Sequence, residues 1–330
     1  MPKLGKITKS WKIITFGIVF VMVVLLWIFF IGFSSSAPGS FFNKENNAVW
    51  IGHEWVGEPK RDIEVQDLVK TLQDHQIGTV FVHVGPLKKD GTIDPETYQY
   101  AIRFIERANL YDTNISYQAW LGQIRSKLDL DDEKIRHNVA KQAFIMTRLG
   151  GFDGVHFDIE PVWDGDKNFI LTLKESRELI GNEKLISVAM SEFIPKSVIW
   201  LSQKIHKFKN YNTEVNYRNV AKYADQIVVM VYDTGFDKKW KYEWFVKEQT
   251  IWVTGLFDDK DVFIAIPSYE EVKDGFDPLV ENVESGLTGI IKGLNNTRSE
   301  EENFAGVAIY PYWEIDESEW GIYDRLWTKK

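Results

Sequence analysis

The chain has 330 residues, with 39 basic against 48 acidic side chains and a formal charge of −9. That acidity argues against a nucleic-acid partner, which would need a basic surface. Cysteine is absent, which for an exported domain of this size suits a bacterial cell surface better than an animal or plant one.

The first predicted element is Ile13 to Phe33, 21 uncharged residues rich in Val, Ile, Leu and Phe. A helix of that length spans a bilayer. Lys3, Lys6, Lys9 and Lys12 precede it without an acid, so residues 1–12 are expected on the cytoplasmic side. A cleaved signal peptide would have a shorter apolar core, and Pro38 follows the one small-residue site, Ser35-Ser36-Ala37. The expectation is a single-pass membrane anchor over 13–33 with the C-terminal domain extracellular. Without the four N-terminal lysines the remainder carries about −13. Residues 34–47, polar and broken by Pro and Gly, read as a linker.

From residue 48 to 330 strand and helix signals alternate. Strands are predicted over Ala48–Ile51, Thr79–Val84, Ile115–Trp120, Val155–Ile159, Leu185–Met190, Gln226–Val231, Val262–Ile266 and Gly306–Tyr310. Helices are predicted over Val65–Asp74, Pro95–Asn109, Glu133–Leu149, Phe169–Gly181, Tyr217–Tyr223 and Asn282–Leu294. This count and spacing predict an α/β fold, a (β/α)8 TIM barrel, with a doubly wound sheet as the runner-up. In such a barrel the site lies at the C-terminal strand ends. Those ends hold His53-Glu54-Trp55, His83, Trp120, Asp158 and Glu160, Glu192, Tyr232-Asp233, Tyr269, Tyr310 and Trp313. Acids among aromatic rings suit a sugar site, because rings stack on pyranose faces while acids act on the glycosidic oxygen.

Gly151 to Pro161, GFDGVHFDIEP, carries the densest chemistry. Read at a period of two, Val155, Phe157 and Ile159 share one face, and His156, Asp158 and Glu160 the other. Two strand rises put the Cα atoms of Asp158 and Glu160 roughly 6.5–7 Å apart. Three ionisable groups on the buried face of a barrel strand are costly unless they are paired or used. Asp153 has the wrong parity for the lumen and reads as a support at the strand start. Taken singly, Trp120, Tyr310 and Trp313 read more readily as packing residues than as platforms, given the apolar area each buries. His53 and His83 lack the spacing of a metal pair, and no metal or other cofactor is implied.

The chain resembles the family 18 glycoside hydrolases, the chitinase-like barrels. Their fourth strand carries Asp-x-x-Asp-x-Asp-x-Glu, matched here by Asp153, Asp158 and Glu160. Their sixth strand ends Met-x-Tyr-Asp, matched by Met230, Tyr232 and Asp233, and their seventh-strand Gly-x-Pro-x-Tyr is echoed at Ala265 to Tyr269. The usual eighth-strand tryptophan is replaced by Tyr310. The resemblance implies an N-acetylhexosamine polymer as substrate, peptidoglycan or a chitin-like glycan, cleaved with retention by the substrate's own 2-acetamido group. Glu160 would be the general acid, Asp158 would orient the acetamido group, and Tyr232 would bond its carbonyl. Trp120, Tyr269, Tyr310 and Trp313 would bind sugar. His156 stands where the family has an aspartate, and it is expected either to pair with Asp158 or to be a buried packing residue. The segment from Tyr269 to Phe304 leaves little room for the small extra domain that deepens the groove in many chitinases, so a shallower cleft is expected. A non-catalytic carbohydrate-binding barrel and a metal-dependent hydrolase using His156, Asp158 and Glu160 are the alternatives.

Overall fold

The computed structural model describes residues 16–22, 36–195, 211–272 and 275–329. Two compact units are present, Met1–Ala37 and Pro38–Lys330. In the first, residues 16–22 are helical; most of the expected span, Ile13 to Phe33, lies outside the described residues. Among the described residues no helix is long and apolar enough to cross a membrane.

The second unit is a closed barrel of eight strands in chain order. They are β1 (Asn47–Ile51), β2 (Ile77–Pro86), β3 (Ser116–Ile124), β4 (Gly154–Glu160), β5 (Leu185–Met190), β6 (Gln226–Met230), β7 (Asp261–Pro267) and β8 (Phe304–Tyr310). Each is parallel to the next, and β8 returns to β1 through Ala48–Ala308 and Val49–Ile309. All eight predicted strands are present. Their Val, Ile and Phe runs are buried on both faces, as a parallel sheet between lumen and helices requires. β3 runs four residues past the expected end at Trp120, which carries Gly122 and Gln123 to the rim.

The outer layer comprises α1 (Asp62–Asp74), α2 (Ala101–Tyr111), α3 (Glu133–Arg148), α4 (Lys167–Ile180), α5 (Glu214–Ala221), α6 (Lys239–Thr254), α7 (Val283–Leu294) and α8 (Glu317–Leu326). Side-chain caps start several of them: Asp132 accepts from Lys134 N, Asp166 from Asn168 N and Phe169 N, and Asp316 from Glu319 N. The apolar period does not mark α6. In α6 the buried side includes Glu248, Gln249, Thr250 and Thr254, which blurs the pattern. α6 packs close to α7 across glycines: a Cβ at Gly289 would lie 2.6 Å from Val246 Cβ, and one at Gly293 would lie 2.6 Å from Thr250 Cβ.

The linker expected over 34–47 is shorter than its polar composition suggests. From Pro38 the chain belongs to the barrel unit, and a helical turn at Gly39–Phe42 buries Phe42. Its Asn and Gly serve contacts, not flexibility. Asn43 Nδ2 donates to Gln76 Oε1 and to the Trp327 carbonyl, while Asn47 Oδ1 accepts from Val307 N and Trp327 Nε1. These bonds tie β1, β8 and the C-terminus together at the N-terminal end of the barrel. Above them the lumen is filled by Trp50, Phe81, Trp120, Val228 and Phe263, with Tyr232 and Tyr310 packed on this layer. The packed interior leaves chemistry to the opposite, C-terminal rim.

Candidate active site

Period two along β4 sends His156, Asp158 and Glu160 into the lumen and Val155, Phe157 and Ile159 away from it. The three inward groups occupy successive depths. His156 is fully buried, Asp158 is half-buried, and Glu160 reaches solvent at the mouth.

Asp158 is fixed from β3, where Trp120 Nε1 donates to its Oδ2 at 2.8 Å. Trp120 is only 9 % exposed, its N–H is used by Asp158, and its ring lies 4.5 Å from that of His83. The indole thus holds a carboxylate in place. Burial raises the pKa of Asp158, partly offset by hydrogen bonds with Glu160 and Trp120. Glu160 is pushed well above the usual carboxylate range. The surrounding protein is the largest cause, followed by the charge of Asp158 and a hydrogen bond to it, then by Asp233 and Glu192. Solvent touches Glu160 at the rim, but the walls around it thin out the water that would stabilise its charge. A protonated acid beside a carboxylate is the arrangement that general acid catalysis uses.

Opposite β4, Tyr232 follows β6. Its ring lies parallel to that of Tyr310 at 5.8 Å and edge-on to that of Tyr269 at 6.1 Å. Burial and then the charges of Glu160 and Asp158 hold its phenol well above its usual pKa, so it is a hydrogen-bond donor. Tyr310, whose own phenol burial raises to about 12, also meets Trp120 edge-on at 6.2 Å. Asp233 has a left-handed backbone (φ 57°) and accepts from the Tyr269 hydroxyl at 2.5 Å. Asp158, Glu160, Tyr232, Asp233, Tyr269 and Tyr310 therefore meet around one mouth. Trp313 lies outside them, 48 % exposed and 5.8 Å from Tyr310. Met230 is a buried packing residue at the end of β6. Asp153 supports the start of β4: its Oδ2 accepts from Tyr117 N at 2.9 Å.

His156 does not pair with Asp158. Its Nδ1 is 2.7 Å from Ser187 Oγ on β5. Ser187 Oγ donates to Gln118 Oε1 at 2.7 Å, and Gln118 Nε2 donates to Gln226 Oε1 at 2.7 Å. Since the serine proton is committed to Gln118, Nδ1 must carry the proton that Ser187 accepts, and Nε2 is left bare. The ring stacks on Phe81 at 3.9 Å, and burial alone drives its pKa down to about 3. Of the two readings left open for His156, the structure has the buried one: a neutral imidazole in a polar chain across the lumen.

Reading the sequence alone misses Ser187, Gln118 and Gln226, and also Glu281. Glu281, fully buried, accepts from Thr234 N and Oγ1 at 3.1 and 2.6 Å and so supports the turn that carries Asp233. Burial raises it to about 7. Asp158 and Glu160 open on a pocket of 230 Å³ lined also by His83, Trp120, Gly122 and Gln123. Among the described residues no three His, Cys, Asp or Glu side chains are grouped to hold a metal ion.

No protein-family model matches the chain, and no curated protein is similar to it in sequence. Solved structures share its fold. The spore cortex-lytic enzyme SleL of Bacillus cereus is 12 % identical with a TM-score of 0.57, over 86 % of this chain and 74 % of that one. A class V chitinase of Pseudomonas fluorescens is 13 % identical, TM-score 0.55, over 87 % and 99 %. A family GH18 chitinase of Cycas revoluta, solved with allosamidin, is 14 % identical, TM-score 0.58, over 86 % and 99 %. The chain thus has the barrel of the chitinase-like enzymes.

Proposed function

We infer that the protein is a glycoside hydrolase acting on polymers that contain N-acetylhexosamine. The observation that carries this reading is the β4 pair: Glu160, held protonated, next to Asp158, which Trp120 holds in place. Glu160 gives its proton to the glycosidic oxygen as the C–O bond breaks. The 2-acetamido oxygen of the substrate attacks the anomeric carbon, forming an oxazolinium ion. Asp158 accepts a hydrogen bond from the acetamido N–H and balances the positive charge. Tyr232 donates to the acetamido carbonyl. Water then opens the ring, with Glu160 as base, and the anomeric configuration is retained. The chitinase of the same fold solved with (GlcNAc)4 supports a glycan of this kind.

The uncharged run Ile13 to Phe33 behind four lysines supports a cell-surface enzyme, anchored once in the membrane with its barrel outside.

The test is turnover of tetra-N-acetylchitotetraose and of purified cell wall, with the anomer of the first product read by NMR. Glu160→Gln should lower turnover by a factor on the order of 10² or more. The rate should also fall as pH rises through the raised pKa of Glu160, because the acid form is then lost. Near-normal activity in Glu160→Gln would remove the acid from the scheme, and binding without turnover in the unaltered protein would make it a sugar-binding barrel.

A further inference from the structure

Beside the catalytic pocket lies a second hollow of 650 Å³, which the chemistry above does not use. The same three strand-end loops build both. The last residues of β2, β3 and β4, Pro86, Ile124 and Glu160, line the pocket, and the residues just beyond them, Lys89, Arg125 and Trp163, line the hollow. A glycan chain extending from Glu160 past these strand ends would reach the hollow.

Its wall is built, not incidental. Arg125 is buried, pairs with Asp166 at 3.0 Å and donates to the Leu128 carbonyl. Its guanidinium lies 4.8 Å from the centre of the Trp163 ring and fixes that ring while leaving Trp163 45 % exposed. A tryptophan braced from below and open to solvent is a platform for a sugar ring.

The charges around the platform are unequal in availability. Lys88, next along the chain, is paired with Asp94 at 3.1 Å, whereas Lys89 and Lys127 have no carboxylate within ion-pair distance among the described residues. The two acids in the hollow are engaged: Asp129 accepts from Asp131 N at 3.1 Å, and Asp131 accepts from Asn168 Nδ2 at 2.5 Å. The mouth around Glu160, by contrast, is ringed by the carboxyl groups of Asp158, Glu192 and Asp233 and offers no lysine or arginine among its described lining. We propose that the hollow binds a carboxylate carried by the glycan, with its sugar on Trp163 and the anion on Lys89 and Lys127. Resting on the hydrolase reading, this makes the substrate an acidic N-acetylhexosamine polymer in preference to neutral chitin. The carboxylate has two sources in such a polymer, the lactyl ether of N-acetylmuramic acid or a peptide attached to it.

The experiment compares kcat/KM of the full-length protein and of Lys89→Gln/Lys127→Gln on three substrates. These are tetra-N-acetylchitotetraose, a peptide-free strand alternating N-acetylglucosamine with N-acetylmuramic acid, and the same strand bearing peptides. The acidic-to-neutral ratio should fall by about threefold to tenfold in the variant, the worth of two exposed charge contacts, and by less at high salt. A loss on the peptide-free strand alone assigns the lactyl carboxylate, because the peptide-bearing strand holds that carboxyl as an amide; a loss only on the peptide-bearing strand assigns the peptide; a loss on both shows that the lysines take either carboxylate. An unchanged ratio overturns the proposal. Should no substrate be cleaved, the hydrolase reading fails, and the same ratio measured as Kd in Glu160→Gln protein decides the hollow independently.

Discussion

Trp120 and Asp158 are joined by an indole-to-carboxylate hydrogen bond of 2.8 Å across the β3–β4 seam. It leaves one oxygen of Asp158, Oδ1, buried without a hydrogen-bond partner. The bond therefore determines which oxygen remains for substrate. In Trp120→Phe a ring is retained and the bond is lost. Hydrogen bonds to charged groups contribute enough that kcat should fall about tenfold to a hundredfold, with little change in melting temperature. Steady-state kinetics beside a thermal melt decides it; unchanged kcat would make Trp120 a packing residue only.

The placing of Asp158 and Glu160 on one inward strand face was legible in the sequence because its signal is local. Asp158 and Glu160 are two residues apart on one strand, and Tyr232 sits in a four-residue motif. The eight strands were legible for the same reason, as apolar runs between turn residues. The partners were not. Trp120 reaches Asp158 across 38 residues, His156 reaches Ser187 across 31, and Thr234 reaches Glu281 across 47. No local period encodes such pairs; barrel closure makes them. Trp120 was legible as a rim aromatic, but its role was not, since the same ring can stack or donate.

Glu281 gives a pH-dependent stability. Its folded pKa of about 7 is raised above the ordinary carboxylate value, so the folded state holds this proton more tightly than the unfolded chain. The associated stability is full below the unfolded pKa and is lost as pH rises through 7. Glu281→Gln keeps an acceptor for Thr234 and removes the charge. Its denaturation midpoint should gain on that of the unaltered protein between pH 6 and 8. Parallel curves for the two proteins would mean that Glu281 is already ionised in the fold.

The proposed anchor makes a separate prediction. With Ile13 to Phe33 in the bilayer and the N-terminus inside, the protein should sediment with membranes. Protease added to wall-less cells should remove the barrel. A soluble form starting near Pro38 would instead mean that the segment is cleaved.

His156 carries the last prediction. A cationic imidazole paired with Asp158 would give the enzyme an acidic limb near the ordinary histidine pKa. The structure puts a neutral ring there instead, held near 3 by burial, with its proton on Nδ1 facing Ser187. Activity should therefore show no limb from this group between pH 5 and 8. Stability should respond, because the folded pKa is lowered below the unfolded value of about 6.5. Below that value the unfolded chain binds a proton that the fold refuses, so stability falls as pH drops from 6.5 toward 3. The slope for one proton is about 1.4 kcal/mol per pH unit. Ring nitrogen shifts in labelled protein test this without any variant. They should report one tautomer, protonated at Nδ1 and constant from pH 8 to 5, whereas titration within that range would restore the charged pair.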